Sequence, residues 1–259
     1  MIITILRTPS LHTPSYVLLC TLAISDLGMG VVGQPLFTAL RIFEMKGQHQ
    51  VYCKLAAVYF STASFLLWLS CFTIVAISVD RFLAVYLCQR YRGIITVNRV
   101  ILSVIFTFLI AVSITFTYII DMKVYFGLIN AAIPVCLVLT ALNYFKINRI
   151  LRRHQALINS QGLRQNVSTD FPRATSAFNF VRYEKSLRTV LYVYCVFLMC
   201  YLPYWSFSVV IMFLGRTSAV HAAYIITTTI VLANSSLNPV LYYWRIAELR
   251  QAMKKLYRK

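Results

Sequence analysis

Two of the seven acidic residues in this 259-residue chain stand where a carboxylate is costly. Asp26 falls inside the apolar stretch LAISDLG, and Asp80 stands beside Arg81 at the close of the run FLLWLSCFTIVAISV. A charge within hydrocarbon is expensive, so an acid there is a candidate for function by default. Asn234, Ser235, Ser236 and Asn238 crowd a second apolar run. Amide and hydroxyl oxygens of that kind, gathered round Asp26, could hold water or a small cation. A purely structural polar network is the alternative. Asp80-Arg81 could be made and broken as helices separate, with Glu184 as a second partner for Arg81 on another element. An ordinary interfacial ion pair with a snorkelling arginine is the plainer reading. The chemistry on offer is therefore ionic and conformational. No nucleophile–base set, metal cluster or phosphate loop is recognisable, and His12, His49, His154 and His221 are isolated at surface or boundary positions. No enzyme is expected.

The elements that must carry these groups follow from composition. The chain is 59% hydrophobic and only 12% charged, with mean hydropathy +0.72. Soluble domains carry roughly a quarter of their residues charged. A bilayer core needs about 20 apolar residues per helical crossing. Six runs qualify, over about 15–40, 52–83, 100–120, 124–145, 187–214 and 219–244. They must be helical, because hydrocarbon offers unpaired backbone groups no water. The fold class is all-α, a polytopic membrane helix bundle forming a single domain over 1–259. Pro35, Pro134, Pro203 and Pro239 lie inside the runs and should bend them. The tail RIAELRQAMKKL, about 245–256, is amphipathic and suits a helix lying at the membrane surface.

The net charge of +18 would suggest nucleic acid in a soluble protein, but here its placement matters more. With Arg7 inside and six alternating spans, the outer segments hold Arg41, Lys46, Lys54, Lys123 and Arg216, and most of the 25 basic residues fall inside. Both ends are then cytoplasmic, and so is the one long connection, about 148–184, which reads as a mobile loop. Nucleic acid is not an expected partner; membrane lipid is. Cysteines such as Cys20, Cys71, Cys136, Cys195 and Cys200 lie in apolar runs and read as small buried hydrophobes.

Four ordered motifs, LAISDL, DRFLAV, CYLP and NPVLY, resemble those of the rhodopsin-like (class A) G-protein-coupled receptors, and the resemblance covers nearly the whole chain. It implies the seven-transmembrane receptor fold, a heterotrimeric G protein as partner and an extracellular ligand. Asp26 then resembles the family's sodium-site acid, with Asn234 and Asn238 beside it and Ser70 contributing from the second span; an allosteric sodium ion is the one cofactor implied. Asp80, Arg81 and Phe82 match the acidic-Arg-aromatic triplet, whose arginine holds the resting state and faces the G protein in the active one. Cys200, Tyr201, Leu202 and Pro203 match the motif whose proline lets its helix swing, with Tyr201 in place of the usual Trp. Asn238, Pro239 and Tyr242 match the motif closing the last span. Tyr144 matches the tyrosine that moves toward the arginine, and Glu184 stands at the start of the swinging helix. Tyr91 and Thr96 fit the second cytoplasmic loop.

The chain also departs from the family's pattern. MIITILRTPSLHTPS resembles the end of a first span and the loop after it, so the expectation is that the first helix is missing. Cys53 lies near the usual outer disulfide position, but the connection around 121–125 offers it no cysteine. Phe106 or Phe108 replaces the third-span Trp. Ala63 stands where amine receptors carry Asp, which argues against a simple amine ligand. Phe60, Ala63, Trp205 and Tyr224 are the candidate lining of a ligand cleft for a small molecule or peptide, with helix packing or lipid contact as the alternative. Two functions are carried forward: a plasma-membrane receptor, or a non-signalling truncated receptor retained in the endoplasmic reticulum or associating with full-length ones.

Overall fold

The six apolar runs become six helices long and apolar enough to cross a membrane. The structure is a computed structural model and describes residues 2–8, 12–87, 90–164, 171–215, 217–245 and 247–257. Its elements are α1 (Ile2–Arg7), α2 (Pro14–Gly28), a π-helical turn (Met29–Gly33), α3 (Gln34–Met45), α4 (His49–Leu87), α5 (Tyr91–Ile94), α6 (Val97–Ile120), α7 (Met122–Arg164), α8 (Phe171–Leu214), α9 (Ser218–Arg245) and α10 (Ala247–Tyr257). No strand occurs among the described residues, and the fold is all-α.

The first span runs Pro14–Met45 as α2, the π turn and α3. The expected bend at Pro35 takes the form of that turn. Proline cannot donate to the preceding turn, and widening the helix by one residue absorbs the break. One glycine allows close approach here. A Cβ on Gly28 would lie 3.0 Å from a Leu66 methyl on α4, so α2 and α4 touch where Asp26 sits.

Helix α4 is the axis. It packs against α2, α3, α6, α7 and α8 and buries residues from Tyr59 to Val85, including Trp68, which is 0% exposed. Helix α6 is peripheral. Val100 and Ala111 are buried, while Leu102, Phe106, Leu109 and Phe116 face outward, as a lipid-facing helix requires. Phe108 packs edge-on against Phe65 at 5.2 Å and so touches α4, although it is partly exposed like Phe106. The α6 hydroxyls of Ser103, Thr107, Thr115 and Thr117 return to carbonyls three or four residues back, which satisfies them without water.

The outer links are short. Gly47 and Gly215 adopt φ of 66° and 75°, the left-handed region that lets a helix stop abruptly. Asp121 alone joins α6 to α7, and its carboxylate accepts from the Lys123 and Val124 amides at 2.8 and 3.3 Å, capping α7. On the cytoplasmic side, the segment expected as a loop over 148–184 is largely helical: α7 continues to Arg164 and α8 begins at Phe171. Residues such as Arg, Leu, Gln and Ala keep a helix going beyond the membrane once it has been nucleated within it. The amphipathic tail forms α10, and Leu249 on it is 1% exposed where it meets the bundle. Helix α1 packs against α2 and α10.

Candidate functional site

Polar and aromatic groups gather at three depths, and α4 passes through all of them. At the cytoplasmic end, Arg81 Nη2 lies 2.9 Å from Asp80 Oδ2. The same carboxylate oxygen accepts from the Ser15 hydroxyl of α2 at 2.8 Å, and Oδ1 accepts from the Tyr91 hydroxyl of α5. Burial, and then donation to Asp80, push the Tyr91 hydroxyl above its ordinary value, so it stays a donor at physiological pH. Asp80 thus ties three elements together while holding Arg81. Beside it an open cleft of about 450 Å³ is lined by Ser15, Arg81, Tyr91 and Thr96, with His12 at its edge.

Tyr144 is buried on α7 and stacks on Tyr194 at 5.6 Å, and its hydroxyl has no hydrogen-bond partner. No hydrogen bond joins it to Arg81. Phe82 stacks on Tyr86 at 5.7 Å, with the Lys146 ammonium 6.0 Å above its ring. The side chains of Glu184 and Tyr242 lie outside the described residues.

At mid-depth, Asp26 is 3% exposed and accepts from the Asn238 amide at 3.0 Å, which joins α2 to α9. Ser70 does not bond Asp26 directly. It pairs with Ser25 at 2.8 Å, the neighbour of Asp26 that sequence reading passed over. Asn234 is buried one helical turn before Asn238, and the Oδ1 atoms of both asparagines are buried without partners. An acid, two unpaired amide oxygens and two hydroxyls form an all-oxygen set suited to a hard cation. Among the described residues no group of three His, Cys, Asp or Glu stands together as a metal site. Just outward, Tyr201 stacks on Phe197 at 3.8 Å, with Cys200 also buried and Pro203 inside the same helix. Pro239 is exposed on α9.

At the outer end, Phe60 and Ala63 pack in one cluster with aromatics that the sequence had not singled out, whereas Trp205 packs against the other core cluster and Tyr224 lies against Tyr204. The Phe37, Tyr59, Phe60, Tyr118 and Tyr125 rings follow one another at 5.4, 5.2, 5.8 and 5.3 Å, a run from α3 across α4 to α6 and α7. Opposite, the Tyr204 and Tyr224 hydroxyls are 3.4 Å apart, and the Trp205 indole donates to the Asn130 carbonyl at 3.1 Å. Ala63 packs beside the Phe37–Tyr59 cluster. The Tyr125 hydroxyl bonds Ser64. Cys53 is free and exposed.

The bundle of long apolar helices thus carries an Asp80–Arg81 ion pair at one end, an Asp26–Asn238 link in the middle and a run of packed aromatic rings at the other. A family model described as 7 transmembrane receptor (rhodopsin family) matches residues 1–125 and 118–242. The chain belongs to that family, as a multi-pass membrane protein and a receptor, not an enzyme. It is similar to adenosine receptor A3 of Ovis aries, with 25% identity over 273 residues that cover 94% of this chain and 79% of the relative.

Proposed function

We propose that the protein is a plasma-membrane G-protein-coupled receptor that carries the signal of an extracellular small molecule or peptide to a heterotrimeric G protein by rearranging its helices. The observation that carries this reading is the Asp80 carboxylate, which holds Arg81 while accepting from Ser15 and Tyr91. A ligand outside and a G protein inside must favour the same helix arrangement, and the two binding free energies are then coupled. In the resting arrangement Arg81 lies on Asp80. In the active one Arg81 leaves it, α8 swings about Pro203, and Tyr144 brings its partnerless hydroxyl toward the freed guanidinium. Breaking a charge-assisted contact in exchange for a new one keeps the two states within a few kcal/mol, which a switch requires.

Asp26, Ser70, Asn234 and Asn238 would hold a sodium ion, with Ser25 supporting Ser70. The orphaned Oδ1 atoms of Asn234 and Asn238 are the observation that fits. The ion would supply a positive charge that steadies the resting packing of α2 against α9. Adenosine, named by the relative, is a neutral ligand worth assaying first. The test is nucleotide exchange on purified G proteins by membranes carrying the wild-type chain or Arg81→Ala. Exchange lost with the variant still at the cell surface supports the reading; equal loss of both assigns Arg81 to folding.

A further inference from the structure

We infer that α8 hangs on the backbone of α7 by two side-chain hydrogen bonds with different tasks. Trp205 is a fixed pivot on a carbonyl that Pro134 has freed, and Tyr194 is a latch that opens when the inner half of α8 swings. The inference rests on the proposed receptor function for the swing itself.

The pivot begins with a missing donor. In an α-helix each N–H bonds the carbonyl four residues back. Pro134 lies inside α7 and has no N–H, so the carbonyl deprived of that donor is the one of Asn130. That carbonyl accepts from the Trp205 indole of α8 at 3.1 Å. A donor from a neighbouring helix takes the place of the lost one, which is how a membrane bundle accommodates a proline. Withdrawing the indole would strip the Asn130 carbonyl of this replacement, and hydrocarbon has no water to offer instead. Trp205 therefore stays tied to α7 in both arrangements of α8.

The latch is made differently. The Tyr194 hydroxyl donates to the Leu137 carbonyl of α7 at 2.7 Å, and both residues are buried. Ala141, four residues further on, keeps its N–H, so α7 supplies Leu137 with a helical donor whether or not Tyr194 is there. When Tyr194 leaves, that carbonyl loses only its second bond, and a hydroxyl can turn to another acceptor. Pro203 stands between Tyr194 and Trp205 on α8. A hinge there separates a half that Trp205 fixes to α7 from a half that Tyr194 can release. Tyr194 also stacks on Tyr144 at 5.6 Å, so opening of the latch and movement of Tyr144 toward Arg81 belong to one rearrangement.

A double-mutant cycle tests the pivot on the full chain in nanodiscs. Pro134→Ala restores an N–H four residues beyond Asn130. Trp205→Phe should lower the melting temperature of the native chain clearly, and that of the Pro134→Ala chain much less. Lost indole packing is common to both backgrounds and cancels in the cycle. Equal losses would reduce Trp205 to packing and overturn the pivot. The latch is read as the distance between nitroxides at Leu142→Cys on α7 and Leu191→Cys on α8, two exposed positions, in a chain whose other reactive cysteines are replaced by serine. Tyr194→Phe keeps the ring and removes one hydrogen bond, so the separated population should rise severalfold, up to about tenfold. Trp205→Phe, on the fixed side of Pro203, should not raise it. No rise with Tyr194→Phe, or an equal rise with Trp205→Phe, overturns the latch. A rise without any gain in nucleotide exchange on any heterotrimer would fail the receptor reading alone.

Discussion

The Asn238 amide of α9 donates to the buried Asp26 carboxylate of α2 at 3.0 Å, across 212 residues of chain. Two helices that must shift relative to one another in a receptor are joined there through one buried carboxylate, which Ser235 of α9 also reaches, with unpaired amide oxygens beside it. If a cation completes this set, sodium should stabilise the chain. The melting temperature in sodium chloride is expected to exceed that in choline chloride. Asp26→Asn should abolish the difference by removing the charge, and Asn234→Ala should reduce it. Equal melting of the wild-type chain in both salts would sink the sodium assignment.

Ser15 and Tyr91 hold Asp80 in place from outside α4. Tyr91→Phe removes one hydrogen bond to a carboxylate, worth about 1.5–3 kcal/mol if it is made only in the resting state. Basal nucleotide exchange without ligand should rise about tenfold or more while that state predominates. Ser15→Ala should act in the same direction. Unchanged basal exchange in both variants would show that these bonds do not differ between states.

Tyr144 should behave in the opposite way. Its hydroxyl is buried without a partner, so Tyr144→Phe is expected to stabilise the resting chain by about 1 kcal/mol, read as a higher melting temperature. Ligand- or sodium-free exchange should fall, because the active-state contact with Arg81 is gone. A lower melting temperature would mean that the hydroxyl is satisfied by water in the resting state.

The approach of α2 to α4 can be tested by a compensating pair. Gly28→Val places atoms within reach of Leu66, where a Cβ alone would already be 3.0 Å from a methyl. Overpacking of this kind costs about 1–3 kcal/mol. Leu66→Ala in the same chain should recover part of the loss. Additive losses would place the strain elsewhere.

Much of this architecture was legible in the residues because hydrocarbon imposes a simple rule on length and polarity. The six spans and the intramembrane Asp26 and Asn238 follow from it. What lay beyond the rule concerned helix ends and partner choice. Arg41 reads as an outer charge if the first span stops near 40, but α3 continues to Met45 and carries Arg41 back toward Phe37. Tyr125 reads as the outer edge of the fourth span, and a one-residue link at Asp121 starts α7 early enough to bury it. Ser15 and Ser25 are ordinary hydroxyls in sequence. Their roles come from which helices become neighbours, and hydrophobic periodicity does not encode that. The helical extensions through Arg164 and from Phe171 were missed because polar composition marks exposure to solvent and does not exclude helix.

The central claim is that Arg81 couples helix arrangement to a G protein. The most direct measurement is basal nucleotide exchange per surface receptor for the wild-type chain, Arg81→Ala and Asp80→Asn, across a panel of heterotrimeric G proteins. The account predicts exchange above background for the wild type on at least one heterotrimer, more for Asp80→Asn, which releases Arg81, and none for Arg81→Ala at equal surface density. Exchange that Arg81→Ala leaves intact, or that no heterotrimer supports in any of the three chains, would contradict it.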